Sequence, residues 1–424
     1  MFIISLLASA SSAGVFKIGS FDRTGVLSWT NAFTNGVCTI EMSAKLGASW
    51  VPRQNLFTTS RVSQAKVALS AGNSFYRLLA SDISTNSPRG YTNLLNSYGL
   101  LRTVAGNGFG SVDGSNYWRA SFEGGYATNA ALSRPHYTMA DDAGSIFIVD
   151  KDSHSVLKVT LDGRIHTVAG THVAGDNGDG PASATTLKLN APNGLWVRGD
   201  GTFYILDTGN SKVRKVDTNG LMTTLFTVGS GVNVGRGLWV KEDESLSYFC
   251  SGTDLRKRVP GSITTLNNNF TELGNIAVNA NGDLVATDRG ANKVYLVDAT
   301  GSNTGSRTKI FGNGSTNTVV DGTSALTNGL YGVRGVWLFP TGGYLLATHE
   351  GSQLLYVDPA GIIHILIDGE AGNYHAGDGE WFYGPGTPKI AELRSVTMDR
   401  QGNILIVEND AGYVREISFT RLAP

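Results

Sequence analysis

A single unit returns along the last three-quarters of this 424-residue chain, and it leaves few architectures open. It is clearest at 189–226, LNAPNGLWVRGDGTFYILDTGNSKVRKVDTNGLMTTLF. An apolar run follows an Asn-Gly pair, a Gly-Asp-Gly turn reverses the chain, and a second strand ends in Asp207. A Gly-Asn turn, an alternating strand, another Asn-Gly and a short apolar strand complete the unit. This punctuation predicts a four-stranded antiparallel meander. The unit recurs about every 40 to 60 residues. Repetition at that period implies a stacked or circular architecture, in which each unit buries its faces against its neighbours.

Counting fixes the register. Second strands end at Asp150, Asp207, Cys250, Asp288, Thr348 and Glu408. Nine residues after each stands an apolar residue: Val159, Val216, Val259, Val297, Val357 and Ile417. The constant offset predicts the same turn and the same third strand in six units. The last unit, 393–419, has only three strands. The segment 101–106, LRTVAG, repeats HTVAG at 166–170 and supplies the missing fourth. An early strand completing the last sheet closes a ring and removes edges that would otherwise aggregate. The expected fold is all-β: a six-bladed β-propeller closed by an N-terminal strand.

Several pieces carry a family resemblance. TVAG, Gly-Asp-Gly-Pro-Ala at 178–182, Ala-Pro-Asn-Gly at 191–194 and Asp-Thr-Gly-Asn-Ser-Lys at 207–212 resemble NHL repeats of the secreted bacterial kind. The resemblance spans 100–419, closest in the second unit and most degraded in the third. It implies a six-bladed propeller used mainly for binding. The family's enzymes include a zinc-dependent lyase of amidated-peptide biosynthesis, and related propellers include metal-dependent lactonases and strictosidine-synthase-like enzymes.

The remainder divides in three. Residues 1–13 hold an apolar run, Phe2–Ala8, then small residues. The run is far shorter than the roughly 20 residues of a membrane span, and it reads as the remnant of a secretory signal cleaved after Ala10 or Ala13. The basic stretch that precedes such a run is missing, so the natural start is expected upstream. Residues 14–81 show six strand-like runs and predict a small β-sandwich with Trp29, Trp50 and Phe75 in its core. The pattern resembles an accessory module of secreted bacterial proteins. Residues 82–99 read as a linker, and 100–420 as the propeller.

Glycine is abundant at 54 residues, charged residues make up 16 %, and the net charge is −1. No global field recruits nucleic acid or an anionic membrane, so electrostatic recognition must be local. Cys38 and Cys250 fall in different domains and are expected as buried thiols rather than a disulfide or a zinc site.

In a meander that starts at the axis, the loops after strand two and between units share a face. At the start of the six innermost strands one aligned position reads His136, Asn193, Arg236, Asn275, Arg334 and Arg394. These six are the expected ligand-binding residues, ringing the mouth of the channel. Three arginines at one opening repel by about 1 kcal/mol per pair, so they call for counter-charges or an anion. Guanidinium forks suit carboxylate, sulfate or phosphate. A purely scaffolding role would pair them instead with the strand-two carboxylates Asp150, Asp207, Asp288 and Glu408.

Four inter-unit segments are long, 107–133, 171–191, 312–332 and 368–392, while 227–234 and 267–272 are short. The long ones are expected to wall one side of the mouth into a cleft, with Phe109, Tyr117, Trp118, Phe122, Trp381, Phe382 and Tyr383 available for stacking. The acidic turns 175–180 and 377–380 lack the full ligand spacing of a calcium loop. Only His136 stands in the axial column, with His349 and Glu350 in a nearby turn and the other five histidines scattered, which speaks against zinc, and no axial carboxylates await a hard cation. No nucleophile elbow is visible. Polysaccharide β-elimination stays open, with arginine neutralising a uronate and His136 or Tyr137 as base.

The function expected from sequence is therefore a secreted, monomeric binding propeller. Its partner would be an extracellular glycan, peptide or protein, with no cofactor, metal, nucleic acid or membrane span. The alternative is a lyase in the same cleft.

Overall fold

The computed structural model describes residues 2–8, 16–45, 47–67, 74–109, 112–229, 235–372 and 374–420. Residues 9–13, which include most of the expected cleavage region, lie outside the described residues. Seven strands form the first unit: β1 (Phe2–Ala8), β2 (Lys17–Phe21), β3 (Val26–Thr30), β4 (Gly36–Ser43), β5 (Val51–Thr58), β6 (Val62–Lys66) and β7 (Phe75–Asp82). One sheet runs β1-β7-β4-β5 and the other β2-β3-β6. The apolar run at Phe2–Ala8 is thus a strand, parallel to β7.

Leu27 and Trp29 from one sheet meet Cys38, Ile40, Tyr76 and Leu78 from the other in a shared core. Strand alternation decides which aromatic is inside. Tyr76 is buried and Phe75, beside it, is only half-buried. Trp50 is also half-buried, with the Arg77 guanidinium 4.6 Å over its ring. Of the three expected core aromatics, only Trp29 is enclosed.

The segment expected as a linker holds a helix, α1 (Gly90–Ser97). Leu94 and Leu95 are buried, and Tyr98 after them donates from its hydroxyl to the Gly402 carbonyl at 3.1 Å. Phe57 of β5 stacks on Phe419 at 4.2 Å, and Asn55 donates to the Ser97 carbonyl. Sandwich, helix and propeller therefore share one apolar cluster that includes Val37, Leu95, Phe339 and Ile404.

From β8 (Leu100–Ala105) onward the chain forms a β-propeller of four-stranded antiparallel meanders, six of them among the described residues. We number the blades in chain order. Their innermost strands are Pro135–Ala140, Gly194–Val197, Leu238–Val240, Leu273–Val278, Val333–Leu338 and Leu393–Met398. Each neighbours the next, and the last returns to the first. The third strands of all six blades end at the apolar positions that the nine-residue offset marked. β8 pairs antiparallel with Tyr413–Ile417, the third strand of blade 6, and closes the ring as expected.

The long segments meet the mouth near their ends, at Asp113 and Glu392, but most of their length lies elsewhere. Each runs down the outside of the following blade and bridges the start of its outermost strand, the end farthest from the mouth. Ala182–Ser183 pairs with Met222 and Leu221 in blade 2. Glu380–Trp381 pairs with Leu101 and Leu100 in blade 6. Tyr126 bridges Arg164 in blade 1, and Ser324 bridges Ile362 in blade 5. An outermost strand is a bare edge, and covering it blocks unwanted pairing. Trp381, Phe382 and Tyr383 accordingly sit in the cluster under α1, with Phe382 buried against Tyr98. Trp118 stacks on His172 at 4.8 Å and packs edge-on to Phe122, pinning its loop, while Phe109 is exposed.

Candidate functional site

The side chains at the mouth are aimed there by irregular pairing. In blade 1, Val149 pairs with Tyr137 and Asp150 with Pro135, so His136 is skipped. Arg334 is skipped in the same way between Val333 and Gly335, and Arg394 between Leu393 and Ser395. In blade 4 the ladder jumps from Leu273 to Ile276 around Asn275. A β-bulge leaves its extra residue unpaired and turns that side chain out of the strand's alternation. Asn193 and Arg236 stand at the matching places just ahead of their strands. The structure brings together all six expected residues, and all six are buried.

They are not equivalent. The His136 ring pairs through Nδ1 with Asn193 Oδ1. Burial, reinforced by Arg236 and Arg394, holds His136 well below the usual imidazole range, so it is neutral. Asn275 donates from its side-chain amide to the Tyr137 hydroxyl at 3.0 Å. That bond runs from blade 4 to blade 1, across the axis, and shuts the channel beneath the mouth. Burial pushes the Tyr137 phenol up to about 12. Farther along the axis, Trp196, Trp239 and Trp337 converge, with Trp196 6.2 Å from Trp239 and 6.4 Å from Trp337. The mouth is a closed-bottomed bowl.

Counter-charges surround most of its arginines. Arg334 pairs with Glu350 at 2.5 Å. Gly332 has φ +65° and lies against that carboxylate, where any Cβ would overlap it. Arg394 donates from Nε to Asn409 Oδ1 at 2.8 Å and lies 3.7 Å from Asp410. Arg134 bridges Asp113 and Asp410, each at 2.8 Å, and Arg289 pairs with Glu272. Burial lowers Arg394 to about 9 and Arg289 to about 10, and Arg334 adds to both effects.

Arg236 is the exception. It is 3 % exposed, forms no ion pair among the described residues, and its Nε and Nη1 have no hydrogen-bond partner. Burial pulls it well below the normal arginine range, Arg394, Arg334 and Arg289 push it the same way, and the Glu350 carboxylate offsets this only in part. A buried guanidinium among other guanidinium ions is costly in the absence of an anion.

Among the described residues no strand-two carboxylate pairs with an axial arginine; Asp288 lies 3.7 Å from Arg307, at the start of the outermost strand of its blade. Asp207 takes Arg214 at 3.1 Å and Glu408 takes Arg415 at 3.1 Å, both arginines coming from third strands. All four of those side chains are fully buried. The acidic turns close over the same arginines. Asp176 and Asp179 reach Arg214, and Asp378 reaches Arg415 at 2.7 Å. Those turns are ion-paired staples, which accounts for their acidity without calcium.

Sequence reading missed Arg134, Arg289 and Asp410, and placed Glu350 near the axis without giving it a role. A signal was present: Glu350 and Asp410 each stand two residues past the end of strand two, as aligned as the axial column itself. His349 and Glu392 join them. His349 Nε2 lies 3.1 Å from Asp410 Oδ2 and 3.5 Å from Glu392 Oε2, and its Nδ1 is 3.5 Å from Glu350 Oε1.

No protein-family model matches the chain. Over 110 residues, 23 % of the chain, it is 33 % identical to teneurin-3 of Mus musculus, and the matched stretch is 4 % of that protein. A 105-residue stretch, 24 % of the chain, is 29 % identical to the chloroplastic protein SUPPRESSOR OF QUENCHING 1 of Arabidopsis thaliana and spans 10 % of it. Solved structures match over nearly the whole length. A protein of unknown function from Bacteroides thetaiotaomicron superposes with a TM-score of 0.59 at 12 % identity, covering 95 % of this chain and 98 % of that one. An auxiliary nutrient binding protein from Bacteroides ovatus gives 0.56 at 12 % identity, covering 96 % and 99 %. Its counterpart from B. thetaiotaomicron gives 0.54 at 12 %, covering 96 % and 98 %. At such identities the likeness is one of fold, and it takes in sandwich and propeller together.

Proposed function

We propose that this chain is a six-bladed NHL-type binding propeller that works as a monomer outside the cytoplasm. Its ligand is anionic, a glycan or peptide bearing a carboxylate, held at the bowl by Arg236 with His136, Asn193, Asn275, Arg334 and Arg394. The observation that carries this reading is the guanidinium of Arg236, which has no ion pair among the described residues. Every other arginine of the bowl is ion-paired, Arg134 and Arg394 sharing Asp410, so the scaffold alone does not account for Arg236. The full-length likeness to proteins described as auxiliary nutrient binding proteins favours binding over turnover.

A lyase reading fits less well. Tyr137 is poorly acidic and already accepts a hydrogen bond, and His136 has Nδ1 committed to Asn193. One screen separates the two. The protein is incubated with acidic and neutral glycans and peptides, and both retention and new unsaturated ends are followed. Retention without product, lost in an Arg236/Arg334/Arg394 triple alanine variant, is the expected result. Turnover abolished by His136→Ala would establish the enzyme instead. Binding that survives the triple change would remove the bowl as the site.

Export is part of the proposal and rests on the run at Phe2–Ala8 followed by small residues. N-terminal sequencing of the chain recovered from outside the cytoplasm tests it. A mature chain that retains β1 would overturn cleavage at 8–13. No helix among the described residues is long and apolar enough to cross a membrane.

A further inference from the structure

Beside the arginines, on the rim between blades 5 and 6, one imidazole and two carboxylates point their free donor atoms at each other. His349 follows the second strand of blade 5, Asp410 follows that of blade 6, and Glu392 immediately precedes the innermost strand of blade 6. Their ligand atoms all lie within 4.8 Å of one another. We propose that His349, Glu392 and Asp410 form a divalent-cation site for Zn2+ or a similar first-row ion. The site is separate from Arg236 and does not depend on the anion reading.

Four observations carry the assignment. The first is spacing. Donors bound at about 2.0–2.2 Å to a four-coordinate ion sit roughly 3.3–3.5 Å apart. The His349 Nε2 distances of 3.1 Å to Asp410 and 3.5 Å to Glu392 bracket that separation. The second is the imidazole. His349 is 6 % exposed, and neither ring nitrogen has a hydrogen bond of acceptable geometry, although carboxylates face both. An enclosed ring aimed at two carboxylate oxygens, yet not aligned to donate to either, is what a shared ion would align.

The third is the shell around the ring. Nδ1 faces Glu350 Oε1, the oxygen that also takes Arg334. A carboxylate on the second nitrogen fixes the orientation and tautomer of a metal-bound imidazole. The fourth answers the positive charge nearby. Arg134 and Arg394 both approach Asp410 at Oδ1, leaving Oδ2 to face His349. Arg334 occupies Glu350. No arginine pairs with Glu392 among the described residues, and its ion-pair partner there is His349. On Asp410, then, the guanidinium ions grip the outer oxygen and leave the inner one to His349.

The test uses the untagged full-length chain after dialysis against chelator, titrated with Zn2+ by calorimetry and with Co2+ by visible absorption. One equivalent is expected to bind, with the intense visible bands of low-coordinate Co2+. Glu392→Gln and His349→Ala should each weaken Zn2+ at least tenfold. Thermal melts of the metal-free variants identify any that has failed to fold. Because Glu392→Gln is isosteric, it decides the matter if His349→Ala does not fold. Absence of a Co2+ band in the wild-type chain, or Zn2+ affinity unchanged in Glu392→Gln, would overturn the site. If Zn2+ binds as expected but anion retention fails, the cation site stands and the anion reading falls.

Discussion

The Asn275 side-chain amide donates to the Tyr137 hydroxyl at 3.0 Å across the propeller axis, joining blade 4 to blade 1. Both residues are buried, so the bond replaces water that neither group can reach. Tyr137→Phe leaves the Asn275 amide unsatisfied. The expected loss is about 1–3 kcal/mol of unfolding free energy, read by urea denaturation. An unchanged midpoint would mean that water reaches Asn275 from the bowl.

Arg236 should be a stability defect that an anion repairs. Arg236→Met removes an unpaired buried charge and should raise unliganded stability by roughly 1–4 kcal/mol. In the wild-type chain, citrate or sulfate should raise the melting temperature beyond NaCl of equal ionic strength. In Arg236→Met that difference should vanish. A variant that melts lower than wild type in plain buffer contradicts the account.

The Asp207–Arg214 pair has no exposed atoms to fall back on. Arg214→Met strands the Asp207 carboxylate and should cost about 3–5 kcal/mol. Adding Asp207→Leu should recover most of that loss in denaturant titrations. Limited proteolysis should still cut at 175–180 in both variants, because Asp176 and Asp179 lose the same guanidinium.

Blade 1 lacks the third-strand arginine, since Leu157 stands where Arg214 and Arg415 stand in blades 2 and 6. The corresponding Asp150 is fully buried, and neither carboxylate oxygen has a hydrogen-bond partner. Burial, only partly offset by Ser153 and the Ser133 backbone nearby, pushes its carboxyl up to about 7. The folded state therefore holds a proton that the unfolded chain has lost above about pH 4. Stability from this group falls as pH rises from about 4 to about 7 and levels off above. Asp150→Asn should gain on the wild type across that window, on the order of 4 kcal/mol by pH 8. Parallel melting curves at every pH would show that Asp150 is solvated.

Much of this was legible in the chain. A nine-residue offset from Asp207 to Val216 defines a hairpin whatever surrounds it, because both ends and the turn are local. The axial column was legible for the same reason. What sequence could not show was how far a side chain reaches. Arg394 sits three residues before Thr397 on the same strand, yet a bulge sends it to the rim. The scaffolding alternative failed at that point: Asp207 and Glu408 face third-strand arginines within their own blades. The long segments misled because length was read as a wall, whereas each serves an edge far from the mouth. Helix α1 was hidden by its polar approach, since its two leucines bury only once Phe339 and Ile404 arrive from the far end of the chain.

The closing strand sets a timetable for synthesis. Arg102 and Glu416, ion-paired in the finished ring, are 314 residues apart. A ribosome adding about 5–20 residues per second makes β8 roughly 15–60 seconds before its partner exists. Through that interval blade 6 has no third strand, and the Leu100–Ala105 ribbon cannot be satisfied by its own propeller. The sandwich and α1, made first and lying directly beside it, are the neighbours present to shelter it. The accessory unit is thus placed where a nascent chain needs a chaperone of its own.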